Sequence, residues 1–411
     1  MASRDLGVSY PKHILWYKFF MFMIRTFVYP VGRIVLHLKT KKDKGPKPTP
    51  CVMLHNHMSN YDFICTLDIF RPYTRYIISD AMLRSKLNAI VFPIATDFIY
   101  RRKGDRADDV VESIKVTLDK GISIGLSPEG GVSPNGTTES VRPRTGQMIK
   151  DLNCGMVTIA LRGGFFIYPT WARNKSKGPM FGEVVGRYTK EDLADKTPDE
   201  INEIIYRDIY VNNYEWNRKA RIKYERKNRA EWMERVVGIC PKCKTVGSMH
   251  SEVDDLYCSE CGYRLTVDEY GFLQGDDAVY DNLYDWDMWQ RGYLMSQRDK
   301  WLASPDEIIT VDEHMKLNIL RNNFPVLLDE DVRVEMTAKE IRVIGEKENL
   351  VMPLDEIAGI IGAITDGYGI TFKDEYYQFK ASHPIWNEKQ RFIRKVLRGE
   401  PIKRDPPSKS V

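Results

Sequence analysis

The sequence predicts an α/β protein. It reads as a layered domain with a mostly parallel sheet, carrying N-terminal membrane-interface helices, a small metal-bound ribbon and a β-rich C-terminal domain. Three observations predict this. Between about residues 50 and 235 short apolar runs alternate with helical patterns, the order expected of strands joined by crossover helices. Just beyond, four cysteines fall in two Cys-x-x-Cys pairs. From about Val332 to Ala381 the apolar period becomes two, as in half-buried strands. A chain of 411 residues is too long for one compact core. The expected divisions are helices over 1–45, the α/β domain over 46–236, a ribbon over 237–266, a helical linker over 267–305, a β-rich domain over 306–400 and a disordered tail over 401–411.

Residues 14–38, strongly apolar and aromatic, are interrupted by Lys18, Arg25 and Arg33, and Pro30 with Gly32 is expected to split them into two helices. Trp16, Tyr17, Phe19, Phe20, Phe22 and Phe27 crowd too much of the circumference for one buried stripe. A helical hairpin in the membrane interface suits them, with cations at the headgroups; a pair of core helices is the alternative. No stretch reaches the roughly 18 uncharged apolar residues of a spanning helix, and the start lacks a signal-peptide cleavage pattern. Together with cysteines suited to a reducing compartment, this leads to a peripheral or monotopic placement on the cytoplasmic face of a membrane.

Within the α/β region, Cys51–Leu54, Arg75–Ile78, Phe98–Tyr100, Ile122–Leu126, Met156–Leu161 and Phe165–Pro169 read as strands. Asp108–Asp119 and Thr145–Asn153 read as helices, and Thr197-Pro198-Asp199-Glu200 opens another with a capping box. A further helix is expected from about Tyr214 to Val236. Its run of Arg218, Lys219, Arg221, Lys223, Arg226, Lys227 and Arg229 suits a solvated face lying partly on anionic headgroups. A formal charge of +4 gives no reason to expect nucleic acid as a partner.

Cys240, Cys243, Cys258 and Cys261 have the spacing of two metal knuckles, fitting a closed tetrahedral Zn²⁺ site of structural role. Lys244 stands where a glycine would be usual after the first pair, which favours zinc over a rubredoxin-like iron. The period-two strands and the helix with Trp386, Phe392, Ile393, Val396 and Leu397 resemble a pleckstrin-homology or GRAM-like barrel.

Four elements stand out in order: Asn56-His57-Met58-Ser59-Asn60-Tyr61-Asp62 after a strand; Phe98-Ile99-Tyr100-Arg101-Arg102; Leu126-Ser127-Pro128-Glu129-Gly130-Gly131 after a strand; and Ile167-Tyr168-Pro169. A histidine at a strand end with a carboxylate a turn further on suits a general base and its orienting partner; alone, a loop histidine and a capping aspartate would read the same. Taken together, the four resemble the glycerolipid acyltransferases, the PlsC-like or lysophospholipid acyltransferases. That family's first motif is Asn-His-x-Ser-x-x-Asp, its third Phe-Pro-Glu-Gly-Thr and its fourth an apolar run ending in Pro. The resemblance covers roughly residues 50 to 190.

It implies that His57 takes the proton from an acceptor hydroxyl, which attacks an acyl thioester directly, and that Asp62 orients His57. Arg101 matches the arginine that binds the acceptor's phosphate, with Arg102 its neighbour, and Glu129 and Gly130 match the turn that shapes the acceptor pocket. It further implies acyl-CoA or acyl-carrier protein as donor, and membrane lipids and a lysophospholipid such as lysophosphatidic acid as partner and acceptor. Gly131-Val132 replaces the usual Thr-Arg, so one phosphate-binding cation is missing; Arg142 and Arg144 are the nearby substitutes. Ser127 replaces the usual aromatic residue before Pro128.

Two other readings fit parts of the sequence. His55-x-His57 with Asp62 resembles a metallohydrolase ligand cluster, although no further histidine lies between His57 and His250 to complete it. A catalytically degenerate membrane adaptor, binding partners through ribbon and C-terminal domain, draws support from the altered third motif. It leaves the His57, Asp62 and Glu129 combination without a purpose.

Overall fold

The computed structural model describes residues 7–35, 37–41, 43–79, 82, 86–101, 107–321, 324–364, 367–402 and 406–407. Arg102 and most of the expected tail lie outside the described residues.

Helix α1 (Ile14–Met23) runs through a π-helical stretch, Ile24–Val28, into α2 (Tyr29–Val35), and the two segments are bent by 46°. Pro30 lacks an N–H and crowds the carbonyl four residues back, so the bend falls in the turn before it. No single helix is long and apolar enough to cross a membrane among the described residues.

A seven-stranded sheet follows, built from β1 (Leu38–Thr40), β2 (Cys51–His55), β3 (Thr74–Ser79), β4 (Ile99–Arg101), β5 (Ser123–Leu126), β6 (Gly155–Arg162) and β7 (Met180–Tyr188). Its order is β1-β7-β6-β2-β5-β3-β4. β2 to β6 run parallel, while β7 opposes β6 and carries β1 alongside it. The parallel part needs cover on both faces. Val52 and Leu54 pack with Ile114 of α5 (Ala107–Asp119), whereas Cys51 and Met53 face a second core with Ile69 of α3 (Asp62–Ile69) and Phe165. The remaining helices of this region are α4 (Lys86–Ala95), α6 (Arg144–Leu152), α7 (Gly164–Ile167), α8 (Lys190–Ala194), α9 (Pro198–Ile209) and α10 (Asn213–Ala220). The expected capping box of α9 is present, with Thr197 and Glu200 exchanging backbone hydrogen bonds.

Two expectations are corrected. Phe165–Pro169 is not a strand: Gly163, at φ 80°, turns the chain into the short α7. The basic segment is not one helix to Val236, because α10 ends where Arg221 adopts a left-handed conformation. Of the cations from there on, Arg226 and Arg229 are half-buried and Arg235 is buried, while Arg221, Lys223 and Lys227 stay exposed. Arg221 stacks on Tyr270 at 4.2 Å, Arg226 on Trp171 at 4.8 Å and Arg235 on Trp232 at 4.0 Å, while Arg229 pairs with Asp254 at 2.6 Å.

A four-stranded sheet, β8 (Met249–Glu252), β9 (Asp255–Cys258), β10 (Arg264–Val267) and β11 (Leu273–Gln274), accompanies the cysteines. It reaches Gln274, so the helical part of the expected linker begins only with α11 (Leu283–Ser296) and α12 (Arg298–Ala303). The C-terminal region is a seven-stranded antiparallel sheet, β12 (Thr310–Arg321), β13 (Phe324–Met336), β14 (Glu340–Gly345), β15 (Asn349–Pro353), β16 (Ile357–Ile364), β17 (Gly367–Phe372) and β18 (Glu375–Ala381), followed by α13 (Lys389–Leu397). Its apolar face and the buried stripe of α13 form one core.

Helix α11 joins the three parts. Trp286 donates from Nε1 to the Ile239 carbonyl at 2.9 Å, and Gln290 donates to the Val236 carbonyl at 2.7 Å. Asn135 of the α/β domain donates to Asp287 at 2.7 Å, and Leu294 enters the C-terminal core.

Candidate active site

The site stands at the carboxyl ends of the parallel strands, where an open α/β sheet leaves a crevice. β2 and β5 are neighbours with Leu54 opposite Leu126. Three residues beyond each lie His57 and Glu129, so the register alone brings the first and third motifs face to face. Arg101 ends β4, two strands beyond β5 and about 10 Å to the side by the usual strand spacing.

Asp62 opens α3 and is 1% exposed. Its Oδ2 accepts from His57 Nδ1 at 2.8 Å, from Met58 N at 2.7 Å and from Ser59 N at 3.0 Å; its Oδ1 accepts from Ser59 Oγ at 3.1 Å. The carboxylate is thus held by a tight turn, and with Nδ1–H directed to it the ring turns Nε2, with its lone pair, outward. The His57 side chain is partly exposed, so its ring can be reached from solvent. The Gly163–Gly164 turn closes the far side: a Cβ at Gly164 would lie 3.2 Å from Ser59 Oγ and 3.5 Å from Asp62 Oδ1.

Glu129 is buried and each oxygen accepts a backbone N–H, one from His57 at 2.6 Å and the other from Glu139 at 2.7 Å. Burial pushes its proton affinity well above the ordinary glutamate range, and these two donors oppose that shift. Gly130 follows at φ 74°, and a Cβ there would meet the Arg142 guanidinium at 2.7 Å. Arg142, not Arg144, therefore covers the turn; Arg144 opens α6 and is exposed. Ser127 Oγ is buried with no hydrogen-bond partner among the described residues.

Some supporting residues were not assigned roles from sequence. Asn56 bridges β2 to β6, donating to the Leu161 carbonyl at 2.8 Å and accepting its N–H at 2.7 Å. Asn213 accepts from Gly163 N at 2.7 Å and donates to the Gly136 carbonyl at 2.8 Å, tying the third and fourth motif regions together. Asn56 stands inside the first motif, but Asn213 carries no local signal because its partners lie 50 and 77 positions away.

His55 is buried, with Nδ1 against the Asn56 carbonyl at 2.9 Å, and burial lowers its proton affinity. Its ring meets that of His57 edge-on at 6.4 Å between centres, and the one cluster able to hold a metal among the described residues is Cys240, Cys243, Cys258 and Cys261. Their sulfurs lie within 4.8 Å of one another, with Cys240–Cys261 at 3.6 Å and Cys243–Cys258 at 3.7 Å. Four thiolates at 2.3 Å from a tetrahedral ion stand about 3.8 Å apart, so the donor set fits zinc. The two knuckles match: Lys244, at φ 64°, and Gly262, at φ 71°, donate from N to the carbonyls of Cys240 and Cys258.

Residues 37–173 match the family model described as Acyltransferase. The chain contains an acyltransferase domain, in agreement with the PlsC-like resemblance of its motifs. Among solved structures it is similar to the 1-acyl-sn-glycerophosphate (LPA) acyltransferase PlsC from Thermotoga maritima, with 14% identity over 46% of this chain and 90% of that one at TM-score 0.35. It is also similar to the Vps36 N-terminal PH domain, with 16% identity over 23% of this chain and 80% of that one at TM-score 0.19. The C-terminal domain of an unknown protein from Leishmania infantum gives 10% identity over 26% and 97% at TM-score 0.18. No curated protein gives a significant match.

Glu129→Gln offers one acceptor where two are used, leaving a buried N–H against an amide NH₂. It is expected to lower unfolding free energy by about 1–3 kcal/mol in urea titrations; unchanged stability would contradict the paired role. The folded protein holds the Glu129 proton more tightly than the unfolded chain. Wild-type stability should therefore fall as pH rises from the ordinary glutamate value through the raised one, a slope the variant lacks.

Proposed function

We propose that the chain transfers a fatty acyl group from an acyl thioester, on coenzyme A or acyl-carrier protein, to the hydroxyl of a lysophospholipid bearing a phosphate. The observation that carries this reading is the His57–Asp62 pair at 2.8 Å, set beside Glu129 at the carboxyl edge of the sheet. His57 Nε2 takes the acceptor hydroxyl's proton as its oxygen attacks the thioester carbonyl. Asp62 holds the tautomer and stabilises the imidazolium that forms. The proton then serves the leaving thiolate, so the imidazole returns to its starting state. Arg101 and Arg102 are the cations assigned to the acceptor phosphate, and the Glu129–Gly130 turn shapes its pocket.

Removing a general base costs about 10²- to 10⁴-fold in rate. His57→Ala is therefore expected to reduce thiol release from acyl-CoA by that factor in the presence of lysophosphatidic acid; a wild-type rate would sink the mechanism.

The same reading places the enzyme on a membrane surface. Leu15, Trp16, Phe19, Phe22 and Phe27 of the N-terminal segment are exposed, as are Ile90, Val91 and Ile94 of α4. Trp16 and Tyr17 donate to the Ile94 and Pro93 carbonyls at 3.2 and 2.9 Å, which joins the two apolar faces into one. Replacing Trp16, Phe19 and Phe22 together by serine should weaken sedimentation with anionic vesicles at least about tenfold. Equal binding would remove these helices from the membrane contact.

For the cysteine cluster, the proposal is one structural Zn²⁺ per chain. Its four ligands leave no open position, so the ion takes no part in acyl transfer. Elemental analysis should find zinc, and chelation should lower the melting temperature; a metal-free protein with an unmoved melt would refute it.

A further inference from the structure

We propose that the C-terminal domain completes the acceptor site: Arg391 and Lys395 of α13, with Arg101 and Arg142, form a cationic pocket beside the Gly130 turn that takes the acceptor's phosphomonoester. The inference rests on the acyltransferase reading above and names residues outside the matched segment, which ends at residue 173.

A continuous series of contacts connects α13 to the active site. Glu129 holds His57 through one oxygen and Glu139 N through the other. The Glu139 carboxylate accepts from Arg291 of α11 at 3.2 Å. The Arg291 guanidinium lies 4.7 Å from the centre of the Phe392 ring, and Arg391 lies 5.1 Å from the same ring. Helix α13 is therefore seated beside the loop that carries Glu129, Gly130 and Arg142. Arg142 rests on Gly130 itself.

The charges in this region are unbalanced. Burial first, and then the nearby Arg101 and Arg391, depress the proton affinity of Arg142. Burial, Arg391 and Arg142 act likewise on Lys395, with Glu400 and Glu388 opposing. Glu388 pairs with Arg391, and Glu400 pairs with Arg398 at 3.0 Å. Among the described residues, the acids that act on Arg142 and Lys395 are Glu388 and Glu400, and Glu400 is engaged with Arg398. Arg391 and Lys395 stand one helical turn apart, a like-charged spacing that destabilises a helix unless an anion lies between. Helix α13 brings these cations from beyond residue 388 to the side of the loop that carries Gly130. A phosphomonoester, with two charges and three acceptor oxygens, suits such a group of donors.

The pocket is tested in the full chain with Arg391→Ala, Lys395→Ala and the conservative Arg391→Lys. With palmitoyl-CoA and lysophosphatidic acid, each alanine should raise KM for lysophosphatidic acid about tenfold, with kcat and the KM for palmitoyl-CoA little changed; Arg391→Lys should recover most of the loss. An unchanged KM for lysophosphatidic acid overturns the proposal. A rise confined to palmitoyl-CoA overturns it too, since the cations would then serve the donor's phosphates. Calorimetry with glycerol 3-phosphate separates this inference from the reaction. If the wild type transfers no acyl group, the functional reading fails, yet glycerol 3-phosphate binding weakened about tenfold by both alanines still supports the pocket. No binding to the wild type, or equal binding to the variants at matched urea midpoints, overturns it.

Discussion

The loop after β2 and the loop after β5 are joined by one buried carboxylate. Each Glu129 oxygen accepts one backbone N–H, from His57 and from Glu139, so the position of His57 and the course of the 129–142 loop are tied to a single side chain. Burying a carboxylate is unfavourable unless its acceptors are used, and here both are. Asp62 complements it from the other side, with three donors on one oxygen fixing the imidazole's ring plane and tautomer. Neither carboxylate needs to react. Both remove the freedom that a histidine at a strand end would otherwise have.

The rest of the fold keeps those loops in register. The sheet sets His57 and Glu129 level by pairing Leu54 with Leu126. Asn56 and Asn213 stitch the flanking turns to β6 and to the fourth motif region. Helix α11 then spreads this rigidity outward. Its Asp287 and Arg291 are buried, mutually paired at 2.7 Å and bonded to Asn135 and Glu139 of the acyltransferase domain, while Trp286 and Gln290 hold the start of the cysteine ribbon. A buried ion pair adds little net stability over an apolar one; its bonds to Asn135 and Glu139 tie α11 to that domain.

Much of this was legible in the chain. The central strands announced themselves as short apolar runs, and the capping box of α9 was visible in Thr197 and Glu200. Motif order singled out His57, Asp62 and Glu129, and the fold brings the three together because they lie on local turns and adjacent strands. The failures share a cause: tertiary partners overrode local pattern. Phe165–Ile167 is apolar enough for a strand, but Gly163 and the approach of Gly164 to Asp62 bend it into a helical turn. The basic segment after Ala220 looked like a solvated helix, yet its cations have aromatic and acidic partners in the region from Trp171 to Tyr270 that no local window reveals. Of the two arginines named as nearby substitutes for the missing cation, Arg142 is the one in contact with Gly130, which spacing alone could not decide.

The bond between Arg291 and Glu139 spans 152 positions of chain, and the one from Arg291 to the Ile402 carbonyl spans a further 111. During synthesis the residues around His57 leave the ribosome well before Arg291 and α13. Contacts of such separation form late, after shorter loops have closed. Until Arg291 has been made, Glu139 lacks its partner, so the loop beyond Gly130 waits on a helix translated 152 positions later.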